Sequence, residues 1–228
     1  MRRGGASQRQ GESGGPVETQ RPSRSALAQA LVSSALLGLA LGVLAKIADQ
    51  SPVPGLGDVG TYLGAWVVVV TMIAVRAPSR VMAAMRAALA LIGMVVAYYV
   101  TAYLYFRVIP LLDIAVWSIA ALTAVPALAA FMWPARATGW PAAVGVALPV
   151  GLLVAEAWSL RHYVGMGLHI APFVFDVLAA LLLLVLLPSS QAQRLRSGAL
   201  AVPVALVGVW LLTVAFGYAA GVLLRGIA

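Results

Sequence analysis

The sequence of 228 residues has no cysteine and few charged residues, and both absences narrow the class of protein. Without cysteine the chain holds no disulfide, thiolate metal site, iron–sulfur cluster or cysteine nucleophile. Charged residues make up 10% of the chain and apolar residues 62%, whereas soluble domains carry about a quarter charged residues. This composition indicates an integral membrane protein whose surface faces lipid.

Seven apolar stretches follow one another along the chain, and a transmembrane helix needs about 20 such residues. They cover residues 26–48, 59–75, 81–106, 111–133, 140–158, 168–187 and 199–224. Their apolar runs are continuous instead of alternating, which favours helices over barrel strands. The sequence therefore predicts an all-α fold, a polytopic transmembrane helical bundle of about seven spans. The second stretch is short and contains Gly60 and Gly64, so a re-entrant segment is an alternative there.

Residues 1–25 differ from the rest of the chain because they are rich in Gly, Ser, Gln and Arg and contain no apolar run. Such a composition buries too little surface to offset the entropy of ordering. We predict a disordered cytoplasmic tail over residues 1–25 and a transmembrane helical domain over residues 26–228. The stretch after Ser25 is too long for the apolar core of a secretory signal, so the first span is expected to be retained.

The basic residues are sorted by side of the predicted membrane. Most of them lie in the tail or in alternate loops, namely Arg2, Arg3, Arg9, Arg21, Arg24, Arg76, Arg80, Arg86, Arg136, Arg194 and Arg196. The opposite side holds only Lys46, Arg107, Arg161 and Arg225. Because cytoplasmic loops carry the excess of Arg and Lys, we predict a cytoplasmic N-terminus and a C-terminus outside. The predicted location is the cell membrane, and the Arg-rich, Ala-rich composition favours a bacterial inner membrane.

Acidic residues outside the tail lie toward the predicted outer face, and Asp176 is the deepest of them. It lies eight residues past Leu168, about 12 Å below the outer surface. An ionised side chain that faces lipid at this depth is costly, so intramembrane carboxylates are functional candidates by default. The alternative is a structural role in which Asp176 pairs with Lys46 or Arg107 and pins two helices together.

Two further polar residues are candidates for the same ligand-binding site. Glu156 is about one turn from the outer end of the fifth span, where a carboxylate also reaches interfacial water. His169 precedes Asp176 by seven residues, so both side chains point the same way if the helix continues past Pro172. We predict that Asp176, Glu156 and His169 line one ligand-binding face.

Aromatic residues are concentrated in the predicted outer half of the bundle. Trp66, Tyr99 and Phe175 lie deeper than an interfacial aromatic belt requires. Aromatic faces beside carboxylates suit an organic cation or a planar ligand. We therefore add these three residues as candidate walls of the site, with ordinary core packing as the alternative.

Small residues spaced four apart let transmembrane helices approach closely. Gly38 and Gly42 form such a pair in the first span, and Gly217 and Gly221 form another in the seventh. These two helix-packing faces either seal the monomer or bind a membrane protein partner, which includes a second copy of the chain.

Enzyme signatures are missing from the sequence: it has no nucleophile elbow, no HExxH motif and no Gly-rich phosphate loop. The spacing of His162, His169, Glu156 and Asp176 matches no standard zinc site. We therefore predict no catalytic residue, no metal and no cofactor, and an intramembrane enzyme ranks last among the function classes. The basic residues follow membrane topology, so no nucleic-acid partner is predicted.

The segment from Gly38 to Trp66 combines a small-residue helix, Lys46 and Asp49, and a Pro/Gly loop. In these features the chain resembles an uncharacterised domain-of-unknown-function family of small bacterial multi-pass membrane proteins. In architecture it is also similar to the membrane substrate-binding subunits of vitamin transporters, which bind ligand near the outer face. Neither resemblance carries a binding residue over to this chain.

The leading hypothesis is a small-solute binding or transport protein whose site opens to the extracytoplasmic side. Its predicted partners are the lipid bilayer and a small-molecule ligand. Proline residues in spans four to seven favour this hypothesis because they provide the bends that gating needs, although static membrane helices tolerate proline too. The alternative is a non-catalytic accessory subunit that binds another membrane protein through its glycine faces.

Overall fold

Helices account for nearly all of the chain that the structure describes. The computed structural model describes residues 23–53 and 55–225, and within these ranges the side chains of residues 59–61 and 215–225 are not described. The helices are α1 (Arg24–Asp49), α2 (Leu56–Thr61), α3 (Leu63–Val75), α4 (Arg80–Phe106), α5 (Leu111–Leu122), α6 (Ala124–Met132), α7 (Gly139–Gly165), α8 (Ile170–Leu186) and α9 (Gln191–Arg225), with a 3₁₀ turn at Trp133–Arg136. The all-α class is confirmed for this part of the chain, and most of the predicted tail, residues 1–22, lies outside the described residues.

Local backbone and capping contacts explain where α1 and α4 begin and where α4 ends. The Ser23 hydroxyl accepts a hydrogen bond from the Ala26 N–H at the start of α1, at 3.2 Å. Ser79 does the same for the Met82 N–H at the start of α4, also at 3.2 Å. Such caps satisfy backbone donors that have no partner inside the helix. At the other end of α4, Arg107 adopts a left-handed backbone with φ 56°, which stops the helix.

Two of the predicted spans are broken into shorter helices. Tyr62 separates α2 from α3 and has an extended backbone, with φ −77° and ψ 157°. Thr123 separates α5 from α6, one turn before Pro126. Proline lacks an N–H and its ring crowds the carbonyl four residues earlier, here that of Leu122. These breaks correct the prediction of one uninterrupted helix in each of these two stretches.

Five helical segments are long and apolar enough to cross a membrane: Arg24–Asp49, Arg80–Phe106, Leu111–Arg136, Gly139–Gly165 and Gln191–Val214. The shorter apolar helices α3 and α8 have 13 and 17 residues. These lengths correspond to about 20 Å and about 26 Å, against a hydrocarbon core of about 30 Å. The chain is therefore a membrane-protein-like helical bundle, while the count of seven spans and the orientation of the termini stay predictions.

Several helix boundaries differ from those predicted from apolar runs. α7 continues to Gly165, well past the predicted end at Trp158, and α9 begins at Gln191 instead of Ala199. Polar residues at the end of a helix leave the hydrocarbon and enter the interface, so an apolar run marks the membrane part of a helix and not its full length. α8 begins at Ile170 because the preceding residues include Gly167 and His169, whose φ angles of 76° and 52° are not helical.

The glycine face of α1 packs against α4 of the same chain. A Cβ added to Gly38 would overlap the carbonyl oxygen of Ala90, and one added to Gly42 would lie 3.0 Å from the Cβ of Ala97. Close backbone approach of this kind is what small residues allow in membrane helices. The face formed by Gly38 and Gly42 therefore seals the monomer. Gly217 and Gly221 lie in the part of α9 whose side chains are not described, so the packing of this pair stays a prediction.

α7 lies between α3, α6, α8 and α9 and forms the centre of the second half of the bundle. The arginine-rich connections before α4, α7 and α9 meet at one end of this bundle. There the Trp133 indole N–H donates to the Ala77 carbonyl oxygen at 2.9 Å, and the Gln193 amide donates to the Ala135 carbonyl oxygen at 3.3 Å. The arginines in and beside these three connections therefore lie at one end of the described bundle.

Candidate functional site

Glu156 caps the N-terminus of α3 from a different helix. α3 begins at Leu63, directly after the extended residue Tyr62, and no side chain of its own segment caps it. Glu156 belongs to α7 and is 5% exposed, and its Oε1 accepts a hydrogen bond from the Leu63 N–H at 2.7 Å. The first N–H groups of a helix lack internal partners and carry partial positive charge. The helix break at Tyr62 therefore creates a binding position for negative charge inside the bundle.

Asp176 approaches the same helix end from α8. It lies six residues after Ile170, about 9 Å along the helix, and is 1% exposed. A Cβ added to Gly64 would overlap Asp176 Oδ1 and would lie 2.9 Å from Asp176 Cγ and 3.1 Å from Glu156 Oε2. The two carboxyl groups thus converge on the backbone of Gly64, where only a residue without a side chain fits. We call Glu156 and Asp176 the carboxylate pair.

The carboxylate pair lacks neutralising partners among the described side chains. Glu156 Oε2 and both carboxylate oxygens of Asp176 are buried and have no hydrogen-bond partner in the described part of the chain. Neither residue takes part in an ion pair there. An unpaired buried polar atom costs free energy, because water no longer solvates it. The pair is therefore a buried polar site without a counter-charge among the described side chains.

Lys46 does not supply this counter-charge. Its ammonium binds the carboxylate of Asp49 at 2.5 Å, three residues further along α1, and lies 5.0 Å from the centre of the Tyr98 ring. The Tyr98 hydroxyl donates to the same Asp49 oxygen at 3.2 Å. The sequence alternative in which Asp176 pairs with Lys46 is therefore not the arrangement found, and no ion pair of the described residues involves Arg107.

His169 lies near the carboxylate pair but forms a separate contact. It precedes α8 with φ 52°, so its spacing of seven residues from Asp176 does not put both side chains on one helical face, which corrects that expectation. Its Nδ1 lies 3.1 Å from Asp58 Oδ2. Its ring centroid lies 5.3 Å from that of Tyr62 and 5.5 Å from that of Tyr163. We call the His169–Asp58 contact the α2–α8 bridge.

Trp66 and Tyr99 pack in a different region of the molecule. Both contact the buried cluster that contains Leu91 and Met94 of α4, and Trp66 also lines a small apolar pocket between α1, α3 and α4. Helix positions two residues apart do not face each other, so Trp66 points away from the side of α3 that carries Gly64. The structure brings neither ring to the carboxylate pair, which corrects their expected position as its walls.

Phe175 precedes Asp176 on α8 and is half-buried. The residues that sequence reasoning missed are the ones at the helix break: Tyr62, Leu63 and Gly64. Tyr62 contributes its extended backbone, Leu63 its N–H group and Gly64 the absence of a side chain. None of these features identifies a residue as part of a binding site in the sequence. The only sequence signal was the short second stretch with its two glycines, Gly60 and Gly64, which already indicated an interrupted helix.

Two buried carboxyl groups that converge on one helix end are stabilised by a proton or another positive charge. Two like charges repel strongly where the dielectric constant is low, and a helix N-terminus offers only about half a positive charge. Carboxylate oxygens bind protons, protonated amines and hard cations. The residues that the structure describes contain no group of three or more His, Asp or Glu side chains that could hold a metal ion.

The apolar helices and the buried carboxylate pair define a membrane-protein-like helical bundle with a polar site at a helix break. The chain belongs to the family of unknown function DUF6518, which matches residues 21–221. This match confirms the resemblance to an uncharacterised family that the sequence indicated. No curated protein and no solved structure matches the chain.

Proposed function

We propose that this protein binds and transports a small cationic solute through the carboxylate pair, at a site open to the extracytoplasmic side of the cell membrane. The observation that carries the proposal is the set of three buried, unpartnered oxygens: Glu156 Oε2 and both carboxylate oxygens of Asp176. Leaving a polar group buried without a partner costs about 1–3 kcal/mol, and more for a charged group. A bound cation offsets this cost, so the site favours cationic solutes over neutral or anionic ones.

The break between α2 and α3 favours a transport role for the carboxylate pair over a purely structural one. Many transporters build their sites from broken membrane helices, whose ends present unpaired backbone groups within the bilayer. α2, Tyr62 and α3 form such a broken element, and its backbone already contacts the pair through the Leu63 N–H. Movement at Tyr62 changes the distance between this N–H and Glu156 without unfolding α3.

The charges at the two ends of the bundle support the orientation that we propose for the protein in the membrane. The arginine-rich connections gather at the end opposite the α2–α8 bridge, and cytoplasmic loops carry the excess of arginine. We therefore assign the bridge end, together with α2 and the start of α8, to the extracytoplasmic side. Seven crossings, with α3 and α8 as the two short ones, keep all arginine-rich connections on the cytoplasmic side.

Ligand-dependent thermal unfolding of the protein in nanodiscs tests the binding part of this proposal. The solutes are alkali cations and small protonated amines, and tryptophan fluorescence reports unfolding. A ligand at 100 times its Kd stabilises the folded state by about 2.7 kcal/mol. We expect a cation that raises the unfolding temperature of the wild-type protein and has no such effect on Asp176→Asn.

Asp113→Asn provides the matched control, because Asp113 is an exposed aspartate in the first turn of the apolar helix α5. This variant should keep the ligand-induced shift. Uptake into proteoliposomes of the cation found in this way then separates transport from binding. The same shift in Asp176→Asn as in the wild type, or no shift with any cation, contradicts the proposal.

A further inference from the structure

The carboxylate pair needs an occupant even when no solute is bound. Both carboxyl groups are buried and converge on the backbone of Gly64. The charge of Glu156 acts on Asp176 across this small space. Two ionised carboxylates in such a position repel each other, and the backbone N–H groups of Leu63 and Gly64 that face Glu156 compensate only part of one charge. A proton fits between them without additional room.

None of the described side chains around the pair provides this positive charge. The titratable side chains near it are Asp58 from α2, Tyr62 from the helix break, Tyr163 from α7 and His169 from α8. Tyr62 and Tyr163 carry phenol groups, which bear no positive charge in either protonation state, and the imidazole of His169 contacts Asp58 in the α2–α8 bridge. α9 contacts α7 nearby through apolar groups, with Val204 against Gly151 and Gly208 against Ala155.

We infer that the carboxylate pair holds one proton when no solute is bound and releases it when a small cation binds, so that the protein exchanges a proton for its solute. This inference rests on the proposed function. The carboxylic O–H bond breaks, its electron pair stays on the oxygen, and the proton passes to water when the buried site opens to the extracytoplasmic side. The cation then lies between the two carboxylates, so the site carries the same net charge in both states.

The exchange couples cation binding to proton binding. Proton and cation compete for the same oxygens of Glu156 and Asp176, so the loaded and the protonated forms exclude each other. A binding equilibrium of this kind makes the apparent cation affinity fall as the proton concentration rises, by up to tenfold per pH unit for a one-to-one exchange. A site that binds cation and proton independently shows no such dependence.

Infrared spectroscopy of the full-length protein in nanodiscs detects the resting proton directly. A protonated carboxyl group has a C=O stretch that the carboxylate lacks, and we expect this band without added solute. The band should shift in frequency or lose intensity in Asp176→Asn and Glu156→Gln, both of which are close in shape to the original residues, and stay unchanged in Asp113→Asn. Thermal unfolding of each variant checks that it is folded.

Proton release is measured on the same samples with a pH-indicator dye in weak buffer. The probes are Na⁺, Li⁺ and methylammonium, with choline as the bulky control. We expect one proton released per protein by a probe that binds, together with loss of the infrared band. Binding measured by thermal shift without proton release would overturn the exchange and leave the proposed function standing. The exchange would also be overturned if no probe removed the infrared band, or if the band were absent from the start. In either case the thermal shifts still show whether a cation binds, which tests the proposed function by itself.

Discussion

Replacing Gly38 by alanine tests the packing of α1 on α4, which holds the first half of the bundle together. The added Cβ would overlap the carbonyl oxygen of Ala90 and lie 2.7 Å from its carbonyl carbon and 2.9 Å from its Cα. Non-bonded carbon atoms prefer separations of about 3.5–4.0 Å. All three atoms belong to the backbone of α4, so no side-chain rotation relieves the overlap and α1 must move away from α4.

The expected loss of stability follows from two opposing terms. Overpacking a closely packed contact costs about 1–3 kcal/mol, and the overlap with three backbone atoms puts this variant at the upper end. Alanine is a better helix former than glycine by about 1 kcal/mol, which offsets part of the cost. We therefore expect Gly38→Ala to lower the free energy of unfolding by about 2 kcal/mol.

Equilibrium unfolding in mixed detergent micelles, followed by circular dichroism, measures this change. Gly198→Ala is the matched control, since Gly198 is also inside a helix but its added Cβ meets only Leu184 Cδ2, at 4.0 Å. That variant should be unchanged in stability or gain up to about 1 kcal/mol. Finding Gly38→Ala as stable as Gly198→Ala would refute the close backbone contact between α1 and α4.

Two further predictions use the same unfolding measurement. Glu156→Ala should be less stable than Glu156→Gln by about 1–3 kcal/mol, because only glutamine leaves the Leu63 N–H with an acceptor; equal stabilities would show that this cap is dispensable. Asp49→Asn should destabilise the protein more than Lys46→Met, because it leaves an ammonium that is 6% exposed without its counter-ion, whereas the Asp49 carboxylate remains partly solvated. The reverse order would contradict the assignment of Lys46 as the more deeply buried partner.

The membrane class and most helices were predictable from the sequence because they depend on local composition. A helix that satisfies its own backbone hydrogen bonds and presents apolar side chains is stable in lipid wherever it occurs. For the same reason Asp176 and Glu156 stood out: a carboxylate inside an apolar run is costly in any arrangement of helices. The pairing of Lys46 with Asp49, three residues apart on one helix, is local too, but it was not predicted: the partner considered for Lys46 was Asp176.

The construction of the candidate site was not predictable in this way. Glu156 caps a helix that begins 93 residues earlier in the chain, and the fit of Asp176 against Gly64 joins α8 to α3. Aromatic residues were assigned to the site by their depth alone. Depth does not specify the direction of a side chain around a helix, and Trp66 and Tyr99 pack on the α4 side instead.

By itself the sequence determined that this chain is a membrane-protein-like helical chain with two acidic residues inside apolar stretches, where an ionised carboxylate is destabilising. Hydropathy and charge act on each segment separately, so they can be read without knowing the fold. Only the tertiary structure decided that these two acids meet at the broken end of α3 and that Lys46 and His169 are engaged elsewhere. Those contacts depend on the relative rotation and register of four helices, which packing between distant segments sets.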